Sequence, residues 1–305
     1  MPILKYRHIE VFYAVMTHGT VTAAAERLGV TQPTATSTLK NAEAALGFDL
    51  FHRVGGRLVP TREATILLGE VQRAQSALEA IDILAANLRE GVTGHLRIAA
   101  TPVISLNVLP EAVAAFSRMA DRYSYEVTSQ HSNDILKDLQ DSSGRYHLGL
   151  TFGTGHGLNL GFQQVGIARL YCLMPREWAL RQSATFDLKI FNDVPTIATF
   201  EDDPLGLAAQ QLFTERQINP DIVAKVHAHQ VAASLVGATV GAAILDELTI
   251  RHVMLGPLAD RLVYYLVDAE PLPIMAVYSH LRKLTPAALQ FVDCVTDAVH
   301  NQPDF

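Results

Sequence analysis

Nine side chains between positions 31 and 57 are the ones best suited to chemistry, and that chemistry is recognition of a polyanion. Thr31, Gln32, Pro33, Thr34, Thr36, Ser37 and Lys40 leave short hydrogen-bonding groups on the outside of one helix, whose inner side is Ala35, Leu39, Ala42 and Leu46. Base edges in a major groove offer donors, acceptors and thymine methyl groups, and a glutamine near the helix start can reach adenine. A solvated helix face is the plainer alternative, although Ser and Thr are poor helix formers whose excess needs a reason. Arg53 and Arg57 flank Gly55-Gly56, a pair that supports a tight hairpin. Arginines placed there grip phosphates or enter a minor groove, adding affinity and register more than sequence discrimination.

A second set is Thr101, Val103, Ser129, Gln130, Thr151, Phe200 and His229. These residues fall at expected strand ends or a helix start, where hydroxyls, amides and free N–H groups suit a small carboxylate or phosphate. Helix capping is the alternative use of Thr101. The run GTGHG at 153–157 lacks the Lys-Ser or Lys-Thr of a P-loop and reads as a turn. His227 and His229 have no further Cys or His at short spacing, so no metal is expected. No GxSxG-type nucleophile motif occurs. No catalytic residue and no cofactor are therefore expected, only a small-molecule effector.

The elements that must carry the first set can be read from periodicity. Ile9, Phe12, Tyr13 and Met16 give a first helix one apolar face. Thr20 caps a compact alanine-rich helix that Gly29 stops, and Thr31 caps the next, with Pro33 tolerated in its first turn. With the basic hairpin after it, this is the layout of a winged helix-turn-helix over residues 1–61.

Residues 62–90 contain no proline and one glycine, Gly69. Leu67, Val71, Ala74, Leu78, Ile81, Ala85 and Leu88 recur at alternating steps of four and three, a heptad seam that argues for pairing with another helix. A long helix packed on its own domain is the competing reading. Two heads joined by such a coil would read an approximately palindromic operator in double-stranded DNA.

Beyond Gly91-Val92-Thr93-Gly94 the pattern changes to alternation. Strands are expected at 95–100, 125–129 and 147–151 with helices at 108–120 and 134–139, and the pattern restarts after the glycine-rich turn. There strands are expected at 168–174, 196–200, 222–226 and 243–245, with helices at 205–216 and 231–240. Strands at 262–267 and 274–279 and a helix at 286–300 complete the chain. Such alternation implies a mostly parallel sheet in each of two α/β lobes. The fold class is α+β overall: a winged helix-turn-helix, a long linker helix and a two-lobed α/β domain at 91–305.

Charge follows the same division. Residues 1–62 hold seven Lys/Arg against four Asp/Glu, a balance of +3, so the chain's −7 leaves −10 on the remainder. A sequence-blind DNA coat would need far more basic charge. Cys172 and Cys294 read as buried packing residues. With no signal segment and no apolar run of membrane-spanning length, the expected location is cytoplasmic, without membrane.

Taken together, Thr22-Ala23-Ala24-Ala25, Leu28, Val30-Thr31-Gln32-Pro33, Leu46-Gly47, Leu50-Phe51 and Arg53 make residues 5–90 resemble the LysR-type transcriptional regulators. The resemblance implies a dimerising linker helix, a periplasmic-binding-protein-like effector domain, a homodimer pairing into a homotetramer, and contact with the transcription machinery. It also implies that the chain crosses back into the first lobe, giving lobe I as 91–163 with 269–305 and lobe II as 164–268. His229 to Leu248 and Pro60 to Ala64 are similar to the branch responding to amino acids and opines. Ala42, Pro60 and Ala64 depart from the family pattern at packing or junction positions, and Thr239 and Glu247 depart from it within the second lobe, where Gly and Pro are usual. The expected function is sequence-specific transcription regulation under a metabolite, with an enzyme bearing a DNA-binding head or an effector-free architectural DNA binder as alternatives.

Overall fold

The structure, a computed structural model, describes residues 3–55, 57–89, 94–120, 122–140, 144–153, 159–179, 186–280 and 284–301. Gly56, residues 91–93 and residues 154–157 of the expected turns lie outside them. Two compact units are resolved, Met1–Ile83 and Leu84–Phe305.

The first unit is built from α1 (Tyr6–His18), α2 (Val21–Arg27), α3 (Gln32–Leu46), the hairpin β1 (Phe51–Val54) and β2 (Arg57–Pro60), and the start of α4 (Arg62–Arg89). Local chemistry sets each boundary. The Thr20 hydroxyl accepts from the Ala23 N–H at 3.1 Å and opens α2. Gly29, at φ 65°, turns the chain out of it in a conformation that a side chain resists. Thr61 does two jobs: its N–H closes the hairpin onto the Leu50 carbonyl at 2.9 Å, and its hydroxyl accepts from the Ala64 N–H at 3.1 Å to cap α4. Val11, Phe12, Val15, Ala24, Ala35, Leu39, Ala42 and Leu50 form the shared core, with the Phe12 and Phe51 rings 6.0 Å apart. Ala42 and Ala64, two of the departures from the family pattern, are fully enclosed there.

In the second unit, β3 (Gly94–Ala100), β4 (Tyr123–Ser129), β5 (Leu148–Phe152), β6 (Leu160–Ala168) and β12 (Leu272–Ser279) form one sheet in the order β4-β3-β5-β12-β6. Helices α5 (Pro102–Asn107), α6 (Leu109–Met119), α7 (Ser132–Gln140) and α11 (Pro286–His300) accompany it. The second lobe has β7 (Leu170–Pro175), β8 (Pro195–Thr199), β9 (Asp221–Val226), β10 (Ala243–Asp246) and β11 (Leu262–Leu266), with α8 (Pro204–Glu215), α9 (His229–Gly237) and α10 (Glu247–Met254). The pair β8-β9 joins the trio β10-β7-β11 through a parallel bridge between Thr196 and Ala242. The two sheets thus repeat one pattern: three parallel strands, a fourth that opposes them, and a fifth that opposes the fourth and so runs with the first three.

That pattern keeps each sheet mostly parallel, as expected, with one opposing strand in each. β12 runs antiparallel to both β5 and β6, and β7 antiparallel to both β10 and β11. The cause is the double crossing between lobes: an outgoing strand and a returning one lie side by side and must oppose. β6 continues in the first sheet to Ala168, so the lobe boundary expected at 163/164 moves to Arg169. β6 was not among the expected strands, and it carries two glycines, Gly161 and Gly166, a residue type that weakens strands. In the fold they are required, since a Cβ at either position would strike the Tyr278 ring or Val299.

Candidate functional site

On α3 the Thr31 hydroxyl caps the helix, accepting from the Thr34 N–H at 3.4 Å and lying 2.8 Å from the Thr34 hydroxyl. Gln32, Pro33, Thr34, Ser37 and Lys40 are exposed, with Pro33, Ser37, Lys40 and Asn41 on one stripe at i, i+4, i+7 and i+8. Thr36 differs from expectation. It is half-buried and spends its proton on the Gln32 carbonyl at 2.9 Å, so it serves the helix backbone more than an outside partner.

The hairpin register separates the two wing arginines. Arg53 pairs across to Leu58, and Val54 pairs across to Arg57. Successive side chains alternate faces, so Arg53 shares the face of Phe51 and Leu58 while Arg57 lies on the opposite one. Both are exposed. One further residue positions the wing: a Glu43 oxygen accepts from the Leu50 N–H at 2.9 Å and the Phe51 N–H at 3.3 Å, tying α3 to β1. Sequence reading missed it, because a glutamate on a helix surface carries no sign of a partner seven residues on.

The heptad seam divides along its length. Val71 is buried within the head core, where Leu67 also packs, so these two are not available to a second helix as expected. Ala74, Ile81 and Ala85 are exposed and Leu78 half-buried, whereas the Leu88 side chain lies outside the described residues. Ile66, which the seam did not include, is 68% exposed.

In the second unit, Thr101 sits at the mouth of α5 without capping it. Its hydroxyl is buried and lacks a partner, as do Gln130 Oε1 and Ser132 Oγ in the same lobe and Thr199 Oγ1 and Gln230 Nε2 in the other. Such atoms cost free energy unless something else satisfies them. Val103 departs from expectation: it is 2% exposed and packs into the lobe core. Thr151 is buried within β5, and Ser129 is exposed at the end of β4.

The lobes touch through groups that follow their strand ends. Phe200 stacks on His227 at 4.0 Å, and His227 lies 5.1 Å from His131 across the gap. Asn133 donates to the Asp202 carbonyl at 2.7 Å, and Phe152 stacks against His229. Beside these contacts lies a cavity of about 430 Å³, lined by Ser132, Asn133 and Phe152 from one lobe and by Asp202, Asp203 and Pro204 from the other. None of the seven expected ligand residues lines it.

His229 has another role. Its Nδ1 meets Asp246 Oδ2 at 2.8 Å and its Nε2 meets Asp203 Oδ1 at 3.1 Å, so neither ring nitrogen is left for a ligand. Burial opposes charge on the ring, but the two carboxylates outweigh it and raise its pKa to about 10. Burial likewise opposes charge on Asp246, yet its bonds to His229 and Thr249 hold its pKa below the usual carboxylate value. Asp203 also caps α8 and Asp246 caps α10, so an imidazolium at the first residue of α9 ties together the starts of three helices. Arg169, at the crossing between lobes, is anchored similarly by Glu247 at 3.2 Å. The hydroxyl beside the Asp-His-Asp group, that of Thr249, is spent on Asp246 Oδ2 at 2.5 Å, and among the described residues no cluster of His, Cys, Asp or Glu is placed to hold a metal.

Residues 6–65 match the family described as bacterial regulatory helix-turn-helix protein, lysR family, and residues 89–299 match LysR substrate binding domain. The HTH-type transcriptional regulator DgcR of Pseudoalteromonas sp is 30% identical over 81% of this chain and 84% of its own. The transcriptional activator protein LysR of Escherichia coli (strain K12) is 33% identical over 82% of this chain and 79% of its own. Full-length CbnR complexed with its target DNA has the same fold, with a TM-score of 0.78 at 20% identity over 97% of this chain and 100% of that one.

Proposed function

The chain belongs to the LysR family of DNA-binding transcriptional regulators, and on that premise we propose how its parts divide the work. Residues 1–61 are the DNA-binding head, 62–90 the dimerising linker and 91–305 the effector domain. Gln32, Pro33, Thr34, Ser37 and Lys40 read base edges in the major groove, Thr31 and Thr36 hold the helix that presents them, and Arg53 and Arg57 grip phosphates. The observation that carries this reading is the exposed stripe on α3, fixed to the wing by Glu43. Because Arg53 and Arg57 lie on opposite hairpin faces, they meet different phosphates.

Ala74, Leu78, Ile81 and Ala85, continued by Leu88, pair two chains into a homodimer on a palindromic operator, and dimers assemble into a homotetramer that meets the transcription machinery in the cytoplasm. The effector sits between the lobes. The unpartnered hydroxyl of Thr101 and the carboxamide oxygen of Gln130 hold it, with Ser129, Thr151 and Phe200 around it. Its class is an amino acid or derivative carrying a cation, in keeping with Asp202 at one edge of the gap, the neighbouring Glu201 and Asp203 being already paired with Lys225 and His229. A ligand shifts the arrangement of heads only through its differential affinity for two states. Footprinting on operator DNA with and without a panel of amino acids and opines tests this. One compound that shortens or shifts the footprint is the expected result, and calorimetry silent across the panel would remove the assigned class.

A further inference from the structure

The gap between the lobes is not alone in having unpartnered polar atoms beside it. Inside lobe II, between α8 and the β8-β9 pair, lies a separate cavity of about 180 Å³. We propose that it is a second small-molecule site, taking an uncharged ligand with an apolar body of one-ring size and a single hydrogen-bonding group.

Three features make this space a built site. Gly206 lets the start of α8 press against the backbone of Thr199 and Phe200, where any Cβ would collide, and the space opens further along the helix. On the strand side, Thr196 pairs with Ile222 but Ile197 pairs with Ala224, so Val223 is an extra, bulged residue. In a regular strand Ile222 and Lys225 would face opposite sides, whereas the bulge brings both onto the cavity. The walls are mainly apolar, with Ile197, Ala209, Phe213 and Ile244 foremost.

Two buried hydroxyls adjoin the cavity: that of Thr196, 1% exposed, donates to the Val194 carbonyl at 3.4 Å, whereas that of Thr199, 7% exposed, has no partner for its oxygen. The Thr199 hydroxyl selects the ligand's hydrogen-bonding group. At the rim Lys225 and Glu201 already satisfy each other at 3.2 Å and so recruit no ionic ligand. A cavity of about 150 Å³ with aliphatic and aromatic walls holds one benzene, which sets the size of the apolar body.

The position gives the site a consequence. Gly206, Ala209, Gln210 and Phe213 of α8 face this cavity, while Pro204, Leu207, Ala208 and Gln211 of the same helix face the cavity between the lobes. A molecule wedged beneath α8 therefore acts on one wall of the interlobe space, and the coupling is reciprocal.

The test uses the full-length protein with labelled isoleucine and leucine methyl groups, probed with phenol, benzene and benzoate at millimolar concentration. Phenol should move the Ile197, Ile222 and Ile244 signals and, across the helix, that of Leu207. Benzene should bind about fivefold more weakly, the loss of one neutral hydrogen bond, and benzoate should move none of them. Ala209→Leu, which fills the space, should abolish both responses, and Thr199→Val should erase the preference for phenol over benzene. Silence with phenol, or a response that survives Ala209→Leu, would overturn the site. A still Leu207 signal beside a moving Ile222 would overturn the coupling. Either result leaves the reading of the interlobe effector untouched.

Discussion

Replacing His229 by glutamine takes the one cation from between Asp203 and Asp246 while keeping a side chain able to bond. The magnitude follows from the ring's protonation. Its pKa rises from 6.5 to about 10 on folding, and its side chain is only 7% exposed, so little solvent screening applies. At 1.36 kcal/mol per unit, the imidazolium is worth about 4 kcal/mol at pH 7, within the roughly 3–5 kcal/mol range for breaking a buried pair. For a domain of this size that corresponds to a Tm lower by roughly 8–16 °C.

The pH dependence has a definite sign. The raised pKa of His229 means that its contribution is complete below 6.5 and is lost as pH climbs towards 10. The lowered pKa of Asp246 means that its contribution is present above 3.8 and is lost as pH falls through its depressed value. Between 6.5 and 10 the parent protein should therefore lose up to about 1.4 kcal/mol per pH unit from this group, and the glutamine variant should not. Urea unfolding followed by fluorescence of Trp178 reads this directly, because the chain's single tryptophan lies in the same lobe, in the short turn Arg176–Trp178. A variant that costs less than about 1 kcal/mol at pH 7, or that keeps the parent's slope, would refute the charged Asp-His-Asp reading.

In binding titrations, Gln32→Ala should relax preference at one base position at a cost of about 1–3 kcal/mol, whereas Arg53→Ala should weaken all sequences and lower the salt slope. Equal losses on operator and random DNA for both would sink the division of roles. Glu43→Gln should lower the stability of the head by about 1–2 kcal/mol in thermal unfolding and reduce operator affinity without touching a DNA contact. Leu78→Glu should yield monomers in sedimentation and abolish specific binding together, and a fully dimeric variant would argue against the seam. Thr101→Val should leave stability unchanged or improved, since it removes an unpartnered hydroxyl, while weakening the effector response in footprinting.

The head was legible because its signals are local. Thr20 and Thr31 cap the helices they were expected to cap, and Gly29 turns the chain where expected. The strands and helices of the lobes were readable from the same short-range periodicity. What periodicity does not carry is strand direction, since the antiparallel placement of β12 depends on a crossing over a hundred residues away. The cleft was least legible. The strand-end rule chose Thr101 and Gln130, which do hold buried unpartnered atoms, but also Val103, which hydrophobic packing claims, and His229, whose partners Asp203 and Asp246 lie far off in sequence. The heptad seam erred at its start for a related reason: Leu67 and Val71 satisfy a helical repeat and a local core equally well.

The place of β12 also sets an order of assembly. It lies between β5 and β6, yet it is made only after the whole of lobe II has been synthesised. Lobe II draws its strands from one unbroken stretch, from β7 to β11, and can close while the chain is still emerging. Lobe I must wait with a gap in its sheet, two unpaired strand edges exposed, until residues 272–279 arrive. The segment encoded in the middle thus matures first, and a nascent chain stopped before Leu272 should hold a finished lobe II beside an aggregation-prone, incomplete lobe I.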